Sequence, residues 1–128
     1  MAAACGRGSV AIVDDEQSLV EVYQRIFAMS GIDVCFVAYD GLEAVRKFET
    51  HNPRPTIVLM DYRMPGTDGV EATKQILSMD SRVKIIFISA DENVREEAIL
   101  AGACMFVQKP ASVKEILSAV EDVAARHS

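Results

Sequence analysis

The sequence predicts an α/β sandwich built on a parallel sheet, and two observations carry that reading. Short apolar runs alternate with stretches of helical periodicity five times along the chain, the pattern of strands joined by right-handed helical crossovers. At the centre of the chain such a run, Ile57-Val58-Leu59-Met60, is continuously apolar, as in a parallel strand covered on both faces. A third observation points to the working end. Val10–Val13 runs into Asp14-Asp15, Ile57–Met60 runs into Asp61, and Met105–Val107 leads to Lys109-Pro110. Sites in such sheets lie beyond the carboxyl ends of the strands, so these groups are expected to meet there.

The elements follow in order. After the first strand, Leu19, Val22, Tyr23, Ile26 and Phe27 recur at helical spacing, and Gly31 is a fitting stop. Val34-Cys35-Phe36-Val37-Ala38 has the β-branched and aromatic content of a strand. Ala44, Val45 and Phe48 mark the second helix, ended by Asn52-Pro53-Arg54-Pro55, which cannot continue one. The third strand is Ile57–Met60. A third helix opens near Asp68 with Val70, Ile76 and Leu77 turned inward, and Ile85–Ile88 is the fourth strand. A short helix over about Val94 to Ala101 stops at Gly102. Past the fifth strand, Ser112 caps a last helix whose inner stripe is Val113, Ile116, Leu117, Val120 and Ala124.

A chain of 128 residues is one domain, able to bury roughly two-thirds of its unfolded surface. We assign residues 9–126 to it and read 1–8 as a disordered leader, since Met1-Ala-Ala-Ala-Cys5 has neither the charged start nor the apolar core of a signal peptide. The net charge of −6 and the lack of a basic run interleaved with aromatics disfavour direct nucleic-acid or anionic-membrane binding. No apolar stretch approaches the roughly 18 residues of a bilayer span. Cys5, Cys35 and Cys104 show no CxxC spacing. Cys35 and Cys104 read as buried free thiols in a reducing cytoplasm, and with only His51 and His127 beside them a zinc site is not expected.

Each candidate residue has a plain structural alternative. Asp14 or Asp15 could cap a helix, but two adjacent acids exceed that need, and each raises the cost of ionising the other unless a cation is near. Mg²⁺ suits such a pair, taking a few carboxylate or carbonyl oxygens while keeping waters and a phosphate. Asp61, at the end of the most apolar strand, needs a compensating partner, and carboxylates there can act as nucleophiles toward phosphoryl groups. Asp68 reads as a helix cap. Ser89 alone would be a satisfied strand-end hydroxyl. Lys109 would point its charge into the acidic cleft, with Lys109-Pro110 a candidate cis peptide.

In this combination the chain resembles a response-regulator receiver domain of two-component signalling, of the chemotaxis-regulator kind. The resemblance runs from Ser9 to about Arg126 and rests on Val13-Asp14-Asp15-Glu16, Asp61-Tyr62-Arg63-Met64-Pro65-Gly66-Thr67-Asp68-Gly69, Ser89-Ala90 and Lys109-Pro110. It implies a flavodoxin-like, doubly wound (βα)5 three-layer sandwich with sheet order 2-1-3-4-5. It makes Asp61 the phosphoacceptor, fed by a histidine kinase or histidine phosphotransfer protein. Asp15, Asp61 and the Arg63 backbone carbonyl would ligate Mg²⁺ (or Mn²⁺), with Asp14 acting largely through water. Lys109, Ser89 and the Ala90 backbone would hold the phosphoryl group. Ser89 and Phe106 would form the switch, Phe106 rotating inward and altering the face formed by the fourth helix, fifth strand and fifth helix for a downstream partner or output domain. A homodimer formed on phosphorylation is left open, as is whether the chain is a stand-alone regulator or part of a longer one. Such a protein is not an enzyme toward other molecules and promotes only its own phosphorylation and dephosphorylation.

Three features depart from the commoner pattern. Phe106 lacks the hydroxyl of the usual Tyr. Ala111 stands where many DNA-binding regulators have Phe. Arg63 and Asp91, two residues beyond Asp61 and Ser89, could pair across the cleft and slow autodephosphorylation. The alternative reading is a receiver-like protein-binding module that works without phosphorylation, which has no need of Asp14, Asp15, Asp61, Ser89 and Lys109 together. A haloacid-dehalogenase-type phosphatase expects a second acid where Arg63 stands. A P-loop or nucleotide-binding flavodoxin-like protein expects a glycine-rich loop after strand one, and none is present.

Overall fold

The computed structural model describes residues 9–61 and 69–127. Five strands and five helices alternate: β1 (Val10–Val13), α1 (Gln17–Met29), β2 (Val34–Ala38), α2 (Gly41–Thr50), β3 (Ile57–Asp61), α3 (Gly69–Met79), β4 (Lys84–Ser89), α4 (Val94–Ala101), β5 (Met105–Gln108) and α5 (Val113–His127). The strands form one parallel sheet of order β2-β1-β3-β4-β5, the doubly wound order that the resemblance implied. The expected leader, the Asp68 cap and the Arg63 carbonyl lie outside the described residues.

The continuous apolar runs are explained by a core on each face. Successive side chains of a strand point to opposite faces. Ala11, Val13, Val58, Met60, Ile85 and Phe87 therefore pack with Ala44 and Phe48 of α2, Ala72 and Ile76 of α3, and Val94 and Ala98 of α4. Val10, Ile12, Ile57, Leu59, Ile86 and Ile88 pack with Val20, Tyr23 and Phe27 of α1 and Ile116, Val120 and Val123 of α5. Each large side chain so buried contributes about 1.5–3 kcal/mol. Between these two cores the central strands have no solvent-facing side, so a charge at a strand end emerges only along the strand axis.

Local signals set the helix limits. The Asp40 carboxylate accepts from the Glu43 N–H at 2.8 Å and starts α2. Ser112 and Glu115 form a reciprocal capping box at α5, with Glu115 N–H to Ser112 Oγ at 3.1 Å and Ser112 N–H to Glu115 Oε1 at 2.7 Å. Gly31 and Gly102 follow α1 and α4 with φ of 78° and 115°. Both the Asn52–Pro53 and Lys109–Pro110 peptides are cis, although the sequence singled out only the second.

Two expectations need correction. On α1 the inward stripe is Val20, Tyr23 and Phe27, while Val22 is 43% exposed; a helical step of about 100° carries it off the stripe that Tyr23 occupies. Neither cysteine is a buried free thiol: Cys35 is half-buried and disulfide-bonded, and Cys104 is free but exposed at the start of the edge strand β5.

The two left-handed glycines make a paired test. A Cβ on Gly31 would meet nothing within 4 Å, whereas one on Gly102 would lie 2.5 Å from Leu77 Cδ1. Gly31→Ala should cost about 1–2 kcal/mol, the left-handed backbone penalty alone. Gly102→Ala should cost more, by a further 1 kcal/mol or about that, as read from urea unfolding midpoints. Equal losses would contradict the packing of Leu77 over Gly102.

Candidate functional site

Four of the five strands deliver a side chain to the same end of the sheet. Asp14 directly follows β1, Asp61 ends β3, Ser89 ends β4, and Lys109 directly follows β5. Parallel pairing aligns these ends: Met60 is opposite Phe87, Asp61 opposite Ile88, and Ser89 opposite Gln108. The Lys109 N–H also donates to the Ser89 carbonyl at 2.9 Å, which extends the β4–β5 ladder one step and fixes where the lysine emerges.

Asp61 is 1% exposed and Lys109 20%. The lysine Nζ donates to Asp61 Oδ2 at 2.7 Å, a charge-assisted hydrogen bond across 48 residues of sequence. Among the described residues the other oxygen, Oδ1, is buried with no hydrogen-bond partner, and so is Asp14 Oδ2. Asp14 itself is fully buried, with its Oδ1 accepting the Glu16 N–H at 2.9 Å. Its carboxyl is pushed up from 3.8 to about 7, first by burial and then by contact with the Asp61 carboxylate; the Glu16 N–H and the Lys109 charge oppose this. The phenol of Tyr23 is likewise held well above its ordinary range, by burial and by the charges of Asp61, Asp14 and Glu16.

Two buried carboxylate oxygens without donors are costly unless something cationic meets them. Among the described residues no three His, Cys, Asp or Glu side chains converge as a complete metal cage. A facing pair of carboxylates at the mouth of a sheet is instead the donor set that Mg²⁺ takes together with waters. The residues present therefore fit a hard divalent cation.

A family model described as the response regulator receiver domain matches residues 10–121. The chain belongs to the response-regulator receiver domain family. It is 33% identical to the chemotaxis protein CheY of Treponema pallidum over 116 residues, covering 89% of this chain and 81% of that protein. It is 36% identical to CheY of Thermotoga maritima over 117 residues, covering 90% and 96%. Its fold is similar to a crystal structure of the CheX–CheY–BeF3–Mg²⁺ complex from Borrelia burgdorferi, with a TM-score of 0.81 and 34% identity over 90% of this chain and 87% of that one. It is a receiver domain of two-component signalling.

Asp14, Asp61 and Lys109 of this receiver domain come together at the site. Asp15, the next residue, is exposed, and Asp14 is buried against Asp61. Ser89 is buried beside them at the end of β4, its Oγ accepting the Asp91 N–H at 3.0 Å, and Ala90 is exposed in the turn that follows. Asp91 Oδ1 accepts the Asn93 N–H at 2.9 Å; the Arg63 that was expected to pair with Asp91 lies outside the described residues. Phe106 is on the inside, 9% exposed and stacked on Phe87. Sequence reasoning placed Tyr23 only in the core. Its position on the inward stripe of the helix after Asp14-Asp15 was the available sign that it would sense those charges.

The raised value of Asp14 has a defined pH signature. An acid whose folded-state value stands above its unfolded one binds its proton more tightly when folded. Its cost to stability is therefore absent below about pH 4, grows between about 4 and 7, and is complete above 7. In buffer with chelator, Asp14→Asn should stabilise the fold at about pH 8 by on the order of a few kcal/mol. The difference should shrink as the pH falls toward about 4. Urea unfolding across that range checks this, and a difference independent of pH would contradict a buried, charge-opposed Asp14.

Proposed function

We propose that this receiver is a phosphoacceptor switch in which Asp61 takes a phosphoryl group from a phosphohistidine donor, a histidine kinase or histidine phosphotransfer protein. The observation that carries this reading is the state of Asp61, a buried carboxylate with one oxygen on Lys109 and the other without a partner among the described residues. A purely structural ion pair would satisfy both oxygens. A nucleophile needs one free.

In the transfer, the free Asp61 oxygen attacks phosphorus, the P–N bond to the donor imidazole breaks with its electron pair, and an acyl phosphate forms. Lys109, already 2.7 Å from Asp61, follows the developing charge onto the phosphoryl oxygens, where the Ser89 hydroxyl and Ala90 N–H would join it. Phosphoryl transfer is mainly positioning and charge stabilisation. Mg²⁺ (or Mn²⁺) would be held by Asp14, Asp15, Asp61 and the Arg63 carbonyl, and when bound would neutralise phosphoryl charge; the similar Borrelia CheY was solved with BeF3 and Mg²⁺. Hydrolysis reverses the modification when water attacks phosphorus and Asp61 leaves. The receiver thus promotes only its own phosphorylation and dephosphorylation.

The output is an altered α4-β5-α5 face, read by a downstream protein. Ile99 and Leu100 of α4 are exposed apolar residues in this region, and no helix among the described residues is long and apolar enough to cross a membrane. A cytoplasmic setting fits this reading.

Incubation with acetyl phosphate and Mg²⁺ should add roughly 80 Da to the intact mass. Asp61→Asn and chelator should each abolish the gain. A folded protein that gains no mass from either acetyl phosphate or a phosphohistidine donor would shift the reading to a binding module that works without phosphorylation.

A further inference from the structure

The switch aromatic is held from outside as well as from within. Phe106 on β5 stacks on Phe87 of β4, with centroids 6.2 Å apart and planes at 14°. Arg95, in the first turn of α4, places its guanidinium carbon 4.6 Å from the centre of the Phe106 ring. That guanidinium is not loose: its Nε donates to Glu92 Oε2 at 2.8 Å, and Glu92 lies in the turn between Ser89 and α4. The ring therefore has an apolar floor and a cationic lid, and the lid is tethered to the loop that leaves the phosphoacceptor site.

We propose that Arg95 is the positioning residue of Phe106, a cation–π latch that biases the ring toward its buried position and ties the first turn of α4 to β5. The inference rests on the switch reading above only for its consequence, not for the contact itself. Phenylalanine has no hydroxyl, so its inward position carries no hydrogen-bond obligation and is set by packing and by what covers the ring. Packing on Phe87 supplies the inner contribution. The guanidinium, planar and weakly hydrated, supplies the outer one, and an arginine suits an aromatic face better than the compact lysine ammonium does. Because Glu92 and Arg95 are both partly exposed, the contact is of the modest, surface kind. It can bias a rotamer equilibrium without locking it.

The latch also gives α4 a route of communication with the site. Ser89 Oγ accepts the Asp91 N–H, Glu92 follows directly, and Glu92 orients Arg95. Movement of Ser89 or of its turn would shift the carboxylate that aims the guanidinium. The ring on β5 would then be freed or pressed home by a change that begins at the strand end.

The test reads the Phe106 χ1 populations by three-bond NMR couplings in the unphosphorylated protein, so it does not depend on phosphotransfer. Arg95→Gln should raise the ratio of outward to inward rotamer about two- to fivefold, the scale of an exposed cation–π contact. Arg95→Lys should restore part of the bias, and Glu92→Gln should loosen it less than Arg95→Gln does. Leu100→Gly, which weakens the exposed side of α4 without touching the ring, serves as the control for general loosening of the helix. Unchanged populations in Arg95→Gln would overturn the proposal, because Phe87 alone would then be holding the ring. An equal shift in Leu100→Gly would also overturn it, since helix packing rather than the cation would be responsible. Failure of phosphorylation with the rotamer shift present would count against the phosphoacceptor reading and leave the latch standing.

Discussion

The Lys109–Asp61 contact is the constraint around which this receiver is arranged. A carboxylate at the end of a strand buried on both faces cannot reach bulk water sideways, and the apolar residues that bury it are the same ones that hold the sheet together. Its charge must be met at the mouth of the sheet. Lys109 meets it from β5, across β4, and can do so because β3, β4 and β5 are parallel and in register. An antiparallel neighbour would present the opposite end of its strand and carry the lysine away.

That single contact leaves the site deliberately incomplete in electrostatic terms. Among the described residues Asp14 and Asp61 each retain a buried oxygen without a donor, and Asp14 carries the strain as a carboxyl raised to about 7. Stability is lowered at the same place where a cation could be held. A fully satisfied network there would be more stable and would bind nothing. The hydrogen bond from the Glu16 N–H to the Asp14 carboxylate and the helix that follows hold the acid in place despite the cost.

Away from the mouth, the same strand ends connect to the surface. Ser89 ends β4 and, through its turn, leads to Glu92, then to Arg95 over Phe106. Phe106 in turn sits on Phe87, next to Ile88 and Ser89 on β4. A short loop and two aromatic rings therefore separate the acidic cleft from the exposed face of α4, which is a path of direct contacts and needs no long-range deformation of the sheet.

Much of this was legible in the sequence, because it is encoded locally. Continuous apolar runs specify strands with two covered faces, Gly102 supplies the left-handed stop for α4, and Ser112 with Glu115 writes the start of α5. Strand ends then place Asp14, Asp61, Ser89 and Lys109 at one rim once the strands are taken as parallel. What the local code cannot carry is which partners meet across long separations. That Asp14 is buried against Asp61 while Asp15 is exposed depends on how α1 leaves the sheet. That Val22 faces outward depends on the rotation of α1 against α5, set by Val20, Tyr23 and Phe27. That Arg95, unremarkable in sequence, lies over Phe106 depends on the docking of α4 against β5. Each is decided by packing between elements distant in sequence, where backbone periodicity has no say and only the assembled tertiary structure determines the neighbour.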